Sequence, residues 1–213
     1  ERQEKYGDAL SLIEKAYQTN AGTIAPVMYA NLGLFAPEIL SFAQSFSGLE
    51  NQLENKKENP EAPRETAENL RRAAGEHFED YHAPIDQKLL AGMYAMYVKE
   101  IPKEDQPEFI QEIADKYDGD FDEYAEDVFS KSIFASEESV NEFLDKPKAK
   151  KIAKDPAYQL ANNVMESMMA SMTAYRSSMS DLNEGNRLFV AGLREMKPDK
   201  VFYPDANSTM RLT

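Results

Sequence analysis

From Tyr158 to Met196, apolar side chains return at alternating spacings of three and four residues without a break. The series runs Tyr158, Ala161, Met165, Met168, Met172, Tyr175, Met179 and Leu182, then through Asn186 to Phe189, Leu193 and Met196. Only an α-helix brings such a series onto one face. Asp155 is placed as N-cap and Pro156 as the first helical residue, where its missing N–H costs nothing. Continuous to Met196, this helix is roughly 60 Å long at 1.5 Å per residue. A seam of that length predicts a long antiparallel pair or bundle. Methionine packs irregular gaps between helices, so the stripe is assigned to the core rather than to a binding groove. Gly185 and Gly192 are where the helix is free to bend.

The same period recurs upstream. Tyr6, Leu10, Ile13 and Tyr17 predict a helix over about residues 2–19, with Asn20 and Gly22 offering a stop. From Thr23 to Leu49, Ile24, Val27, Leu34, Phe35, Phe42, Phe46 and Leu49 mark buried helix, which Pro37 should kink or divide near Ala36. Residues 50–65 are polar with two prolines and read as an exposed connection. Leu70, Ala74, His77 and Tyr81 line up on a helix over about 64–80. Pro84 opens another, whose Leu89, Met93 and Tyr97 face inward. Between residues 100 and 130 the chain is strongly acidic, yet Phe109, Ile110, Ile113 and Tyr117 mark one short helix, and Phe121, Tyr124, Val128 and Phe129 the next. The expected class is all-α, antiparallel and bundle-like, with a non-helical C-terminal tail.

With 213 residues the chain can bury roughly 70% of its unfolded surface, so it needs no staples. It has no cysteine, which excludes disulfides, thiolate zinc sites and a Cys nucleophile. Thirty-eight acidic against 24 basic residues give a net charge of −14, which disfavours a nucleic-acid backbone or an anionic membrane surface as partner. No run of 18 apolar residues is present, so no membrane span is expected, and no signal peptide is visible. The start at Glu1, without Met, reads as that of a piece of a longer protein.

Motifs that carry chemistry are wanting. Asp118-Gly119-Asp120 sits between two short helices, but a calcium loop with Gly119 at position six would need oxygen ligands at Ala114, Lys116 and Asp118. The stretch is therefore a solvated turn. His77 and His82 are the two histidines; His77 shares an apolar stripe and is read as packed, and His82, before Ala-Pro, as a turn or capping residue. They form no HExxH pair, and the nine glycines make neither a phosphate loop nor a GxSxG elbow. No residue of this chain is assigned a catalytic, cofactor-binding or metal-binding role, and no cofactor is expected.

The chain ends on VFYPDANSTMRLT, residues 201–213, which lacks a helical period and carries Pro204 with β-branched and aromatic residues. It reads as a loop entering a strand whose partners lie in another domain. Asn207-Ser208-Thr209 also matches the glycosylation sequon, a pattern of very low specificity. The tail KPDKVFYPDANSTMRLT closely resembles a segment of the dipeptidyl-peptidase 7 and 11 family of bacterial serine exopeptidases. NRLFVAGLREMKPDK resembles that family's last long helix, and FEDYHAPIDQKLLAGMYAMYVKEIPKEDQPEFI with YDGDFDEYAEDVFSKSIF its helical run. The resemblance spans most of residues 1–213, and Pro204–Thr213 is its most specific part.

The resemblance implies that residues 1–202 are an α-helical lid domain and that residues 203–213 return the chain to a chymotrypsin-like double β-barrel. In the family a Ser-His-Asp triad releases dipeptides from the free N-terminus of peptides, with His and Asp before the helical insertion and Ser after it. All three would lie outside this chain, and substrate-binding residues stay unassigned. Implied partners are peptide substrates with a free N-terminus, the β-barrel peptidase domain and, in a homodimeric parent, a second copy. The implied location is periplasmic, cell-surface or secreted. Two other classes remain beside this one: an independent helical ligand- or protein-binding module, and a helical sensor or regulator.

Overall fold

The computed structural model describes residues 2–55 and 61–202, and among these no strand occurs. The chain is all-α, as the periodicity implied. Eleven α-helices are described. The first is α1 (Arg2–Tyr6), followed by α2 (Ala9–Tyr29), α3 (Glu38–Gln44), α4 (Ser47–Glu54), α5 (Ala62–Asp80), α6 (Ala83–Glu100), α7 (Glu108–Lys116), α8 (Phe121–Lys131), α9 (Glu137–Asp145), α10 (Ala149–Ala153) and α11 (Pro156–Met196). They form two compact units, one of residues 1–21 with 173–213 and the other of residues 22–172. Both α2 and α11 contribute to each.

In the first unit α2 and α11 run antiparallel. Tyr6 donates from its hydroxyl to Glu195 at 2.6 Å, Lys15 pairs with Asp181 at 2.7 Å, and Ser178 donates to Asn20. One set of numbers rises as the other falls. The buried seam is made of small or polar residues: Ala9, Ala16 and Asn20 on one helix, Ser178 and Gly185 on the other. Positions 178, 181, 185, 192 and 195 of α11 face α1 and α2, one residue out of register with the apolar series 179, 182, 186, 189, 193 and 196. Among the described residues, Phe189 and Met196 of that series are left exposed.

The methionine stripe is thus not core. Tyr158 and Ala161 are buried, Met165 and Met168 half-buried, and Met172 is 39% exposed. No methionine belongs to the buried core of the described residues. The helix simply outruns the core of the second unit, which α11 reaches only through its first turns, as far as Val164 and Met168.

Three other expectations are corrected. Asn20 and Gly22 do not stop a helix; α2 continues to Tyr29, and its actual break with α1 falls at Gly7-Asp8. Asn20 is tolerated mid-helix because its side-chain oxygen takes the Ser178 hydroxyl. Residues 50–54 are not connection but the end of α4, since Leu49 is fully buried and holds that turn on the core. On α6 the buried face is Asp86, Leu90, Tyr94 and Tyr97 rather than Leu89, Met93 and Tyr97. Here a carboxylate, invisible to a hydrophobic pattern, sets the register. Pro37 acts as foreseen: a π-turn over Ala30–Leu34 closes the preceding segment and Pro37 is the N-cap residue of α3.

The core of the second unit is aromatic. Phe46 and Phe134 are fully buried with centroids 4.8 Å apart, and Phe42 meets Phe46, Phe78 and Phe134 edge-on. Such edge-to-face contacts add about 0.5–1.5 kcal/mol each beyond area burial. Leu34, Ile39, Leu40, Leu90, Ile110 and Leu160 fill the space around them. Asp118 and Gly119 turn the chain between α7 and α8 with φ of 54° and 78°, and Asp120 caps α8 by accepting from the Glu123 N–H at 3.0 Å. Residues 197–202 are non-helical; the tail from 203 to 213, with its strand start and sequon, lies outside the described residues.

Candidate functional site

Three polar constellations stand out in the second unit. The first joins α3, α5 and α6. The buried Asp86 carboxylate accepts from the backbone N–H groups of Glu38 at 2.8 Å and Ile39 at 2.9 Å, and from the Tyr81 hydroxyl at 3.1 Å. A helix begun by Pro37 has no side-chain cap of its own, so Asp86 supplies one from 48 residues away. Burial, with the Asp86 charge second, pushes the Tyr81 hydroxyl far above its ordinary pKa and keeps it a donor. Beside it His77 stacks on Phe42, centroids 4.2 Å apart and rings within 4° of parallel. Its Nε2 is buried without a hydrogen-bond partner, and burial lowers its pKa against the opposing pull of Glu38 and Asp86. His82 is exposed; it is the N-cap residue of α6, and its carbonyl accepts from the N–H groups of Ile85 and Asp86.

The second constellation centres on Asp155. Its carboxylate accepts from the Ala157 and Tyr158 N–H groups at 2.9 and 3.3 Å, capping α11 as the Asp-Pro pair implied. It also accepts from the Ser132 hydroxyl at 2.9 Å and the Ile133 N–H at 2.8 Å, tying the end of α8 to the start of α11. Burial raises its pKa, while the four donors pull it back.

The third is a groove of about 580 Å³ between α7 and α8 on one side and α10 with the first turns of α11 on the other. Lys116, Lys131, Lys150, Lys151 and Lys154 line it, against Glu112, Asp127 and Asp155. Asp127 is engaged by Lys131 at 2.5 Å and by the Tyr117 hydroxyl at 2.8 Å, which together hold its carboxyl below the usual range. Hydrophobic pattern reading missed both this groove and Asp86, because each depends on charged residues from separate helices. The Lys150-Lys151 pair with Lys154 was the only local trace of the groove.

Among the described residues neither histidine is seen hydrogen-bonded to a serine, and the buried carboxylates Asp86 and Asp155 are occupied by helix N-termini. Among the described residues no group of three His, Cys, Asp or Glu could hold a metal ion.

A model of one family, Peptidase S46, matches residues 1–213, the whole chain. The chain belongs to the peptidase S46 family. Among its S46 relatives, dipeptidyl-peptidase 7 of Porphyromonas gingivalis is 34% identical over 214 residues, 98% of this chain and 28% of that protein. The Asp/Glu-specific dipeptidyl-peptidase of the same organism is 34% identical over 135 residues, 63% of this chain and 19% of that protein. The chain therefore spans less than a third of the length of these S46 enzymes. The solved structure of Porphyromonas endodontalis DPP11 with the dipeptide Arg-Glu matches with a TM-score of 0.73 at 24% identity, covering 91% of this chain and 27% of that one. The same enzyme in complex with substrate gives 0.71 at 22% identity and covers 96% of this chain. At these identities the likeness is one of fold.

Proposed function

We propose that this S46 chain is the helical domain of a serine dipeptidyl-peptidase, that it covers the active-site cleft, and that the protein carrying it releases dipeptides from the free N-terminus of peptides. The observation that carries the reading is the S46 match over all 213 residues, joined to a dipeptidyl-peptidase 7 at 34% identity over 98% of the chain. The fold shared with DPP11 supports it. A Ser-His-Asp triad acts as a unit, and in this reading the whole unit lies in the remainder of the protein. A helical cover then contributes by restricting long, folded or N-blocked substrates and by holding the peptide for attack. An exported setting and a homodimeric parent belong to the same proposal.

The test applies a dipeptidyl-fluorophore substrate and an active-site serine probe to the chain alone, to the full-length protein and to a version lacking residues 1–202. The chain alone should show neither turnover nor labelling. The version without it should still label with the probe but lose dipeptide selectivity. Turnover by the chain alone, or unchanged selectivity without it, overturns the reading.

A further inference from the structure

We propose that the lysine-lined groove between α7, α8, α10 and α11 is a binding site for short acidic peptide segments, resting on the reading of the protein as a peptidase only for its biological use. The charge accounting favours an anion. Of the three carboxylates lining the groove, Asp127 is neutralised by Lys131, and Asp155 is buried with its oxygens occupied by four donors. Five lysines face three carboxylates, a formal surplus of two positive charges, and with Lys131 paired to Asp127 the lysines left are Lys116, Lys150, Lys151 and Lys154.

None of those four lysines is committed to an ion pair among the described residues. Lys116 donates to the Tyr117 hydroxyl at 3.3 Å, and Lys151 lies 5.7 Å from the Phe143 ring centroid. Lys150 and Lys154 stand one helical turn apart and exposed, so their ammonium groups share a face. The uncommitted lysines converge from α7 and from α10 with its C-cap residue on one concavity in a chain whose net charge is −14. A volume of about 580 Å³ falls within the range of ligand pockets.

The rest of the lining argues for a peptide. Phe109, Ile113, Tyr117 and Leu160 give apolar wall for side-chain stems, while the Gln159 and Asn163 amides suit a peptide backbone. Size follows from screening. At physiological salt the field of the groove reaches only about 8 Å, so a short acidic segment senses the lysines and little else. A long polyanion would also meet the acidic remainder of the surface.

The experiment uses the full chain and fluorescein-labelled hexapeptides in anisotropy titrations: alternating Glu and Ala, alternating Lys and Ala, and alternating Ser and Ala. The acidic peptide should bind, and weaken severalfold on raising salt from about 50 to about 200 mM. Lys150→Glu with Lys154→Glu should reduce its affinity about tenfold or more, and Lys150→Gln with Lys154→Gln should show a smaller loss at unchanged circular dichroism. Lys88→Glu, an exposed change outside the groove, should leave it unaltered. Equal binding of the neutral peptide, no loss in either double variant, or tighter groove-dependent binding of a single-stranded oligonucleotide would each overturn the proposal. Loss of the peptidase reading would leave these titrations unchanged, so the two fail separately.

Discussion

Gly185 meets Ile13 with no room for a methyl group: a Cβ there would stand 2.8 Å from the Ile13 Cγ1 and 2.9 Å from the Ala9 carbonyl oxygen. The glycine's work is close approach between two antiparallel helices. Gly192, one heptad on, would place its Cβ at an ordinary 3.4 Å from Tyr6.

The two glycines should therefore respond oppositely to alanine. Gly185→Ala gains helix propensity of about 1 kcal/mol but overpacks a backbone contact at about 1–3 kcal/mol, for a net loss. Gly192→Ala keeps the propensity gain. Amide exchange in the second half of α11 should speed in the first variant and slow in the second; slowing in both would remove the close-approach role.

Asp155→Ala removes an N-cap and leaves the Ser132 hydroxyl and the Ile133 N–H without their acceptor. The expected cost is about 2–4 kcal/mol. Asp155→Asn keeps the Oδ1 bonds but turns an NH₂ toward Ile133, and should fall between. Urea midpoints for the three proteins check the order, and a midpoint shared by Asp155→Ala and the parent would exclude a tie between α8 and α11.

Asp86 predicts a different pairing of variants. Asp86→Ala strands two backbone donors at the start of α3 and should cost about 2–4 kcal/mol, whereas Tyr81→Phe removes one hydroxyl donor and should cost about 1 kcal/mol. Thermal unfolding of the single and double variants reads the coupling. With Asp86 already gone, Tyr81→Phe should have little further effect.

His77 sets a pH dependence whose sign is fixed by burial. Its folded pKa lies below the unfolded value of about 6.5, so the unfolded chain binds the proton first. This contribution is complete above about 6.5 and is lost as pH falls from there through the folded pKa. His77→Phe retains a ring against Phe42 and removes the orphaned Nε2. Between pH 7.5 and 5 (about 2.5 units of pH), the variant should lose less stability than the parent in matched denaturant titrations. An equal loss would assign the acid sensitivity to carboxylates instead.

The sequence by itself determined the class, the helices α7, α8 and α11, and the family. Unbroken three-four spacing needs no tertiary partner to specify a helix, and an Asp-Pro start is a local signal, so α11 was legible from Asp155 to Met196. The family was legible because the tail and the helical run are recognisable as sequence, whatever they pack against. The turn at Asp118-Gly119 was legible from the same kind of local chemistry.

Only the tertiary structure decided which face of each helix is buried. On α11 the apolar series fixed the helix, but the seam fell one residue away, because Ser178 and Gly185 let the backbones approach where methionines would hold them apart. On α6 the buried stripe was set by Asp86, whose burial is repaid by N–H groups 47 and 48 residues distant. The lysine groove arose in the same way, from residues that are ordinary surface charges on their own helices and become a site only where those helices converge. Periodicity reports a helix's own surface; which part of that surface is desolvated depends on neighbours whose positions are set by long-range packing.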